Sequence, residues 1–513
     1  MSVSFDGEGE VRVFAGYDGD FREEADVVVV GSGPCGSVAA YELARAGRRV
    51  VLVEEGPPVV PEDFVLDGSL SMTRLMREAG LRTTTGSVMP TMQAICLGGA
   101  SVVNSAMCIR PPDFVFERWC REFELERTAP ADLAPHFEAV AEFLGIAPTA
   151  RDVLGPRNEL FARGCDALGY SSEPCPRNVK GCVGSGECFT GCRARAKQSM
   201  DISYVPAAMR LGARVLTSLQ VQSIRTQGRR ATGVEGQVVE PFTGRRSHRF
   251  RIDARAVVLA AGCMATPLLL ERSGDLANGS GQAGENLQFH PGVSVMGIFP
   301  DPTRPSFGAT QGYQSLHFLE QGFKLEVLWA PPGVMAVRLP GLGLDYKRWL
   351  ACMPHAAMFD AIVCCERSSG RVRPRRGGLD PSIQFRLDPV DVRTLQRATH
   401  EQVKIFLAAG AHTVLPGVSG LPDTMRSLEE AEILATAELR GTQFSAASTH
   451  AFCTTRMHGD RGRGVVDETG RCYDHDGLYV VDTGIFPRSP SVNPMYTGMA
   501  LAHRAAGAIA QEA

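Results

Sequence analysis

The chain has 513 residues, of which 44% are hydrophobic and 21% are charged, and its formal net charge is −4. This length predicts about two domains, and the weak negative charge disfavours a nucleic-acid partner. The opening MSVSFDGEGEVRVF lacks the basic and apolar segments of a signal peptide, and no later stretch predicts a membrane span. Fifteen cysteines without a secretory signal are typical of a reducing compartment, so we expect a soluble cytoplasmic protein.

The segment DVVVVGSGPCGSVAAYELARAGRRVVLVEEG, residues 26–56, predicts a nucleotide site. Its apolar run predicts a buried parallel strand, followed by a glycine turn, a helix to Gly47 and a second strand. In this pattern the three glycines allow a tight turn, a close approach of a pyrophosphate, and close packing of helix on strand. A terminal acid is suited to a ribose hydroxyl and disfavours a 2′-phosphate. We therefore predict that Gly31, Gly33, Gly36 and Glu54 bind the adenosine diphosphate part of FAD or NAD.

Later segments predict a return to the nucleotide domain and a second domain. ARVLTSLQVQSI predicts a pair of strands, and ARAVVLAAGCMATPLLLERSG (254–274) repeats the order of strand, glycine and helix. Between about 291 and 440, KLEVLWA and SIQFRLD predict strands, and a helix is predicted after Asp388 and before Gly410. This mixture favours an antiparallel sheet with helices. We interpret Glu326 of KLEVLWA as a solvent-facing residue and the arginines between 367 and 376 as part of a solvated hairpin.

The segment STHAFCTTRMHGD, residues 448–460, concentrates reactive side chains. Seven residues separate His450 from His458, which is not a zinc-ligand interval. Cys453 is near His450 in sequence, but a catalytic Cys–His pair is built in space. The segment alone leaves its role open.

The C-terminal segment GLYVVDTGIFPRSPSVNPMYTGMALAHRAAGA, residues 477–508, predicts a buried strand ending at Asp482. A proline-rich loop follows, and then a helix that Asn493 caps and Pro494 starts. The positive end of this helix would stabilise negative charge on a reduced flavin ring.

Taken together, these motifs resemble the glucose–methanol–choline (GMC) oxidoreductases. The segments that carry the resemblance are the GSGPCG turn, LGGASVVNSAM (97–107), AAGCMATPLLLERSG, GENLQFHP (284–291), HAFCTTRM (450–457) and VVDTGIFP with SVNPMYT. The resemblance implies FAD and an α/β fold: a Rossmann-like FAD-binding domain beside a substrate-binding domain built on an antiparallel sheet with helices. We assign residues 22–115, 186–290 and 441–513 to the first domain, and 116–185 and 291–440 to the second.

The resemblance also implies alcohol oxidation by hydride transfer to flavin N5. His450 matches the family's active-site base and Asn493 its partner, and an imidazole that titrates near neutral pH suits this task. Cys453 and His458 stand where the family usually has glycine, so we interpret them as structural. Val103 matches the position of a histidine that binds FAD covalently in some members, so non-covalent FAD is expected. The further residues implied in cofactor binding are Gly98, Gly99, Ser101, Asn104, Val221, Ala261, Gly262, Asp482, Asn493 and Met495.

Two features leave the mechanism open. Cys182, Cys188 and Cys192 have a spacing that resembles the iron–sulfur segment of some flavin dehydrogenases in the family, although zinc, a disulfide or plain loop packing also fit. A cluster would imply a redox partner, and its absence would leave oxygen or a quinone-like acceptor. Resemblance to long-chain alcohol and cholesterol oxidases implies a largely apolar alcohol. A lyase or isomerase without net redox chemistry is the other alternative.

Overall fold

The computed structural model describes residues 2–4, 10–375 and 380–513, so Arg376 of the predicted arginine hairpin lies outside the described residues. In these ranges the helices are α1 (Pro34–Arg45), α2 (Gly68–Leu75), α3 (Asp113–Phe123), α4 (Pro130–Leu144), α5 (Pro156–Ala167), α6 (Tyr204–Arg210), α7 (Ala265–Arg272), α8 (Pro332–Ala336), α9 (Gly343–Ala351), α10 (Pro389–Ala408), α11 (Leu428–Thr436) and α12 (Met495–Glu512). The strands are β1 (Ser2–Ser4), β2 (Glu10–Arg12), β3 (Phe21–Val30), β4 (Val50–Val53), β5 (Thr85–Gly86), β6 (Ala147–Pro148), β7 (Glu173–Pro174), β8 (Pro176–Arg177), β9 (Arg214–Leu216), β10 (Leu219–Gln227), β11 (Arg230–Val239), β12 (Arg246–Leu259), β13 (Gln288–Phe289), β14 (Gly292–Ile298), β15 (Tyr313–Ser315), β16 (Phe323–Leu328), β17 (Ala356–Val363), β18 (Ser369–Pro374), β19 (Pro381–Arg386), β20 (Thr413–Leu415), β21 (Ala451–Phe452) and β22 (Leu478–Val480).

The first sheet contains the predicted nucleotide fold. Its strand order is β1-β2-β9-β4-β3-β12-β11-β10, and β22 also pairs with β12. The strands β9, β4, β3, β12 and β22 are parallel to their neighbours in this group, and the apolar residues 27–30 and 50–53 are buried. Burial on both faces explains the continuous apolar runs. This Rossmann-like architecture confirms the predicted fold class.

Two details of the first sheet differ from the prediction. β3 begins at Phe21, five residues before Asp26, where the predicted strand begins, because its first half pairs with residues 250–254 of β12. The strands predicted in ARVLTSLQVQSI both form, but they are not neighbours: β9 pairs with β4 and β2, whereas β10 pairs with β11.

The second sheet has the order β20-β14-β17-β16-β15-β7, and each described pairing in it is antiparallel. Helix α10 packs on one face, where Phe406 stacks on Phe359 with 3.8 Å between ring centroids. As predicted, Asp388 caps α10 by accepting the N–H of Val390, and Gly410 follows its end with φ +92°. This sheet with its helix confirms the predicted second architecture.

The other face of the second sheet carries a polar row. Ser294 of β14, Asp360 of β17 and Glu326 of β16 lie opposite one another across the strands. Glu326 is 2% exposed, so its interpretation as a solvent-facing residue is wrong. Because protein covers both faces of this sheet, a charged residue in one of its strands does not have to be exposed to solvent.

Shorter pairings complete the fold. β13 pairs with β21, which joins the GENLQFHP segment to the HAFCTTRM segment. β18 and β19 pair antiparallel, as the predicted hairpin requires, and β5 pairs with β19 in parallel. Among the helices in the described ranges, none combines the length and apolar character needed to cross a bilayer. The assignment of segments to two domains stays a prediction.

Candidate active site

A cavity of about 1140 Å³ is lined by residues of both large sheets and their loops. It collects most of the site residues predicted from the sequence, although they come from segments up to hundreds of residues apart. Those on its wall are Gly31, Gly33, Glu54, Gly99, Asn104, Val221, Ala261, Gly262, His450, Asp482, Asn493 and Met495.

Three of the residues predicted to bind the cofactor lie behind this wall. Gly36 packs α1 against the sheet, since an added Cβ would meet the carbonyl oxygen of Gly31 at 2.0 Å. The N–H of Gly98 donates to Ser32 Oγ over 3.0 Å, and Ser101 Oγ donates to the Gly98 carbonyl over 2.6 Å. These residues shape the loops that line the cavity and do not themselves line it.

The turn before α1 fits a diphosphate. α1 begins at Pro34, and Gly33, its N-cap, has open space where a side chain would project. A helix N-terminus with exposed backbone N–H groups attracts anions. Nearby, the Glu54 carboxylate accepts the N–H groups of Ser32 and Gly56 over 3.0 and 2.8 Å. This fixed acid at the end of β4 and the open turn fit the adenosine diphosphate part of FAD.

The loop after residue 97 closes over this turn. Gly99 has φ +56°, and an added Cβ there would lie 2.7 Å from Gly33 Cα. Further along, Asn104 Nδ2 contacts Met495 Sδ at 3.0 Å, and Val103 lines the cavity. Asp482 accepts the N–H groups of Gly262 and Gly484 over 3.0 and 2.8 Å. The loops that surround the cavity are thus tied to one another.

His450 lies in the cavity wall against a second histidine. His450 Nδ1 is 3.3 Å from His290 Nδ1, and His290 Nε2 is 2.7 Å from Ser489 Oγ. Burial and the positive charge of Lys324 lower the pKa of His450 to about 3. Burial, with the neighbouring His450 and Lys324, also lowers the pKa of His290 well below its usual range. Both lowered pKa values favour the neutral form of the ring, which differs from the expectation that His450 titrates near neutral pH.

Asn493 lies on the same wall, just before α12. The helix begins at Met495 with Pro494 as its N-cap, so the prediction that Asn493 caps it is wrong. The Asn493 side chain points elsewhere: its Oδ1 accepts a hydrogen bond from Lys324 Nζ over 2.8 Å. The amide is thus free of the helix end and is held by a side chain of the second sheet.

Sequence reasoning missed three polar residues of this site: His290, Lys324 and Asp360. His290 is part of the GENLQFHP segment that carries the family resemblance, but its neighbours in the sequence do not indicate that it contacts His450. Lys324 and Glu326 alternate in an otherwise apolar strand, and this spacing places opposite charges on one face. Burial and the negative charge of Glu326 raise the pKa of Asp360 to about 7. A pair of opposite charges in an apolar strand was the available signal.

Cys453 and His458, which we interpret from the sequence as structural, are both buried. Cys453 is 1% exposed and has φ +79°, a left-handed conformation that a glycine adopts more easily. Burial raises the pKa of its thiol well above the usual range, which argues against a nucleophile. His458 is fully buried, and its Nδ1 accepts the N–H of Asp460 over 2.9 Å.

The cysteine cluster forms a separate pocket. Cys182, Cys188 and Cys192 line a small cavity with the buried Arg177, whose Nη2 donates to Cys188 Sγ over 3.2 Å. All fifteen cysteines are free thiols. In the ranges that the structure describes, no three His, Cys, Asp or Glu side chains are arranged to hold a metal ion. The geometry gives no support to the iron–sulfur or zinc interpretation.

Cys188 is expected to react with iodoacetamide at pH 7 faster than Cys120, another partly exposed thiol. Burial opposes ionisation of Cys188, but the charges of Arg177 and Lys197 outweigh it and lower its pKa. Burial raises the pKa of Cys120. Because the thiolate is the nucleophile, the labelling rates should follow this order. Peptide mass spectrometry measures both labelling rates in one sample. Equal rates would contradict the lowered pKa of the Cys188 thiol.

Comparison with known proteins agrees with this site. The family model described as GMC oxidoreductase matches in two parts, residues 72–292 and 366–502, and a model for FAD dependent oxidoreductases matches residues 26–59. A Mycobacterium tuberculosis protein named as an uncharacterized GMC-type oxidoreductase is 34% identical over 96% of this chain and 77% of its own length. The chain is a GMC oxidoreductase. It therefore belongs to a family of FAD-dependent oxidoreductases.

Other relatives of this GMC oxidoreductase include alcohol oxidases. The long-chain-alcohol oxidase FAO3 of Arabidopsis thaliana is 27% identical over 94% of this chain and 67% of its own length. Among solved structures, pyridoxine 4-oxidase from "Mesorbium loti" aligns with a TM-score of 0.70 and 20% identity over 94% of this chain and 98% of that one. Formate oxidase from Aspergillus oryzae RIB40 aligns with a TM-score of 0.72 and 17% identity over 97% of this chain and 99% of that one. These structures share the fold.

Proposed function

We propose that this GMC oxidoreductase oxidises an alcohol, with His450 as the base that takes the hydroxyl proton and Asn493 as the group that orients the alcohol oxygen. The observation that carries the proposal is that both side chains line the cavity that holds the predicted FAD residues. When bound, FAD supplies the acceptor for the hydride, at its N5 atom. The residues on the cavity wall fit non-covalent FAD.

The histidine pair explains how His450 can act as a base. Ser489 Oγ accepts the N–H of Ser491 over 3.2 Å and has a second lone pair for His290 Nε2–H. His290 Nδ1 can then accept His450 Nδ1–H, which leaves the lone pair of His450 Nε2 for the substrate. The proton taken from the alcohol rests on Nε2. His290 still accepts the hydrogen bond from Nδ1 in the charged state, so the imidazolium keeps a partner.

We also propose a largely apolar alcohol as substrate. Beyond the residues around the predicted cofactor site, part of the cavity wall is a group of aliphatic and thioether side chains, and such surfaces favour apolar ligands. The wall residues that support this are Met72, Met76, Leu81, Met92, Leu328 and Met335. We propose oxygen or a quinone-like compound as the electron acceptor. We also propose a cytoplasmic location, inferred from the cysteine usage.

The alternatives have less support. A dehydrogenase that passes electrons through an iron–sulfur cluster needs ligands that the described residues do not assemble. A lyase or isomerase without net redox chemistry is admitted by the fold, and it differs from an oxidase in that no alcohol would leave its flavin reduced.

Anaerobic mixing of the flavin-loaded protein with a long-chain primary alcohol is expected to bleach the visible flavin absorption. The reason is that proton removal by His450 makes hydride loss from the alcohol carbon favourable. Stopped-flow absorbance measures the rate, and an alkane of equal chain length is the matched control because it lacks the hydroxyl group. Unchanged absorption across primary and secondary alcohols of several lengths would contradict the proposal and favour the non-redox alternative.

A further inference from the structure

Lys324 is a fully buried lysine beneath the catalytic pair. Its Nζ lies 2.8 Å from Asn493 Oδ1, 2.9 Å from Gln314 Oε1 and 2.8 Å from Glu326 Oε2. An ammonium group has three N–H donors and no acceptor. Two of its donors form hydrogen bonds to amide oxygens, the contact with Glu326 is an ion pair, and one of the hydrogen bonds is directed at a residue of the proposed mechanism.

This contact determines which way the Asn493 amide faces. Oxygen and nitrogen of an amide are told apart by their hydrogen-bond partners. Because Lys324 can only donate, the Asn493 atom beside it must be the oxygen. Nδ2 then lies on the other side, 3.7 Å from Met107 Sδ, and both residues line the cavity. A thioether is a weak acceptor, so the N–H groups of Nδ2 stay available to a substrate oxygen.

The buried charge of Lys324 is balanced by a defined network. Glu326 forms the ion pair and also accepts a hydrogen bond from Gln311, whose own Oε1 accepts from Ser105. Gln314 donates to Glu173 over 3.0 Å. A buried ion pair is costly unless its remaining groups are hydrogen-bonded. Here Glu326 Oε1, Gln311 and Gln314 have hydrogen-bond partners, whereas Glu326 Oε2 meets Lys324 through the ion pair without a hydrogen bond. A network of this kind holds the ammonium in one place.

We propose that Lys324 is a positioning residue of the catalytic pair, which holds Asn493 with Nδ2 toward the substrate and keeps a buried positive charge beside the pair. This inference rests on the proposed function. The positive charge of Lys324 is the one electrostatic contribution, beside burial, that lowers the pKa of His450. The titratable and charged side chains on the elements around His450 are those of His290, Lys324, Glu326, Arg338, Asp360 and Asp482.

The test uses the flavin-loaded protein and a charge-balanced variant. Lys324→Met alone leaves Glu326 without its counter-charge, so Lys324→Met combined with Glu326→Gln removes both charges and protects the fold. The limiting rate of flavin reduction by a long-chain alcohol is expected to fall about a hundredfold, as for loss of one oriented donor, with the alcohol Kd within about threefold. Asn493→Asp keeps the acceptor for Lys324 but removes Nδ2, and its loss should not add to that of the double variant.

A readout independent of turnover completes the test. The His450 titration, followed by NMR on histidine-labelled protein and assigned with His450→Gln, should move to higher pH in the double variant because a positive charge is gone. Wild-type flavin that no alcohol reduces would contradict the proposed function alone. An unchanged His450 titration, or a wild-type limiting rate in the folded double variant, would overturn the role of Lys324.

Discussion

The variant His450→Gln is expected to lose flavin reduction by alcohols while it keeps its FAD. Glutamine has a similar size and polarity but cannot accept a proton near neutral pH, so the alcohol would have to lose its hydride with its proton still in place. Removal of a general base of this kind costs about 10²–10⁴-fold in rate. Stopped-flow absorbance gives the limiting rate, and the flavin-to-protein absorbance ratio gives the FAD content.

The pH dependence adds a second check on the same residue. Because the pKa of His450 is lowered to about 3, its basic form is present throughout pH 5–8, and the wild-type limiting rate should not fall through loss of this base as the pH drops from 8 to 5. His458→Gln is the matched control from the same segment: it removes a buried structural histidine and should lower the free energy of unfolding without a specific loss of rate per bound flavin. A His450→Gln rate within threefold of wild type would contradict the assignment of the base.

The nucleotide end of the molecule was predictable because its information is local. The residues from β3 through α1 to β4 are contiguous, and each glycine has a steric role that the motif states directly. The same holds for α10, because the residues that mark its start and its end, Asp388 and Gly410, lie next to those ends in the sequence. Capping and turn geometry of this kind depend on a few adjacent side chains and can be predicted without tertiary information. The exception is Asn493, where the predicted cap fails because Lys324, from a distant strand, binds the side chain.

The catalytic surroundings were not predictable because they are built from distant segments. His290 and His450 are 160 residues apart and meet through the two-residue pairing of β13 with β21. The face that Glu326 occupies depends on what covers each side of the second sheet. The lowered pKa of His450 depends on burial and on Lys324, and neither is visible in the HAFCTTRM segment. The residue type and its motif were enough to suggest His450 as the base, whereas its lowered pKa could be inferred only once the fold was known.

Alanine at Gly36 is expected to destabilise the protein and prevent FAD binding. The added Cβ would lie 2.0 Å from the carbonyl oxygen of Gly31 and 2.9 Å from Ala260 Cβ. Both neighbours directly follow parallel strands, Gly31 after β3 and Ala260 after β12, and are held by them, so α1 must move off the sheet. Overpacking of this kind costs about 1–3 kcal/mol of unfolding free energy. Chemical denaturation measures that loss, and Gly507→Ala in α12, where no atom lies within 4 Å of the new Cβ, is the control.

Alanine at Gly33 separates cofactor binding from folding. Gly33 has φ −62°, which any residue can adopt, and no protein atom lies within 4 Å of the added Cβ. The apoprotein should therefore unfold with the wild-type free energy. The methyl group would occupy the space through which a pyrophosphate approaches α1, so the FAD Kd should rise about ten- to a hundredfold, the equivalent of 1–3 kcal/mol of steric conflict. Titration of the apoprotein with FAD measures this Kd. An unchanged Kd would mean that the diphosphate does not lie at this turn, whereas a loss of apoprotein stability would mean that the open space beside Gly33 has a structural role.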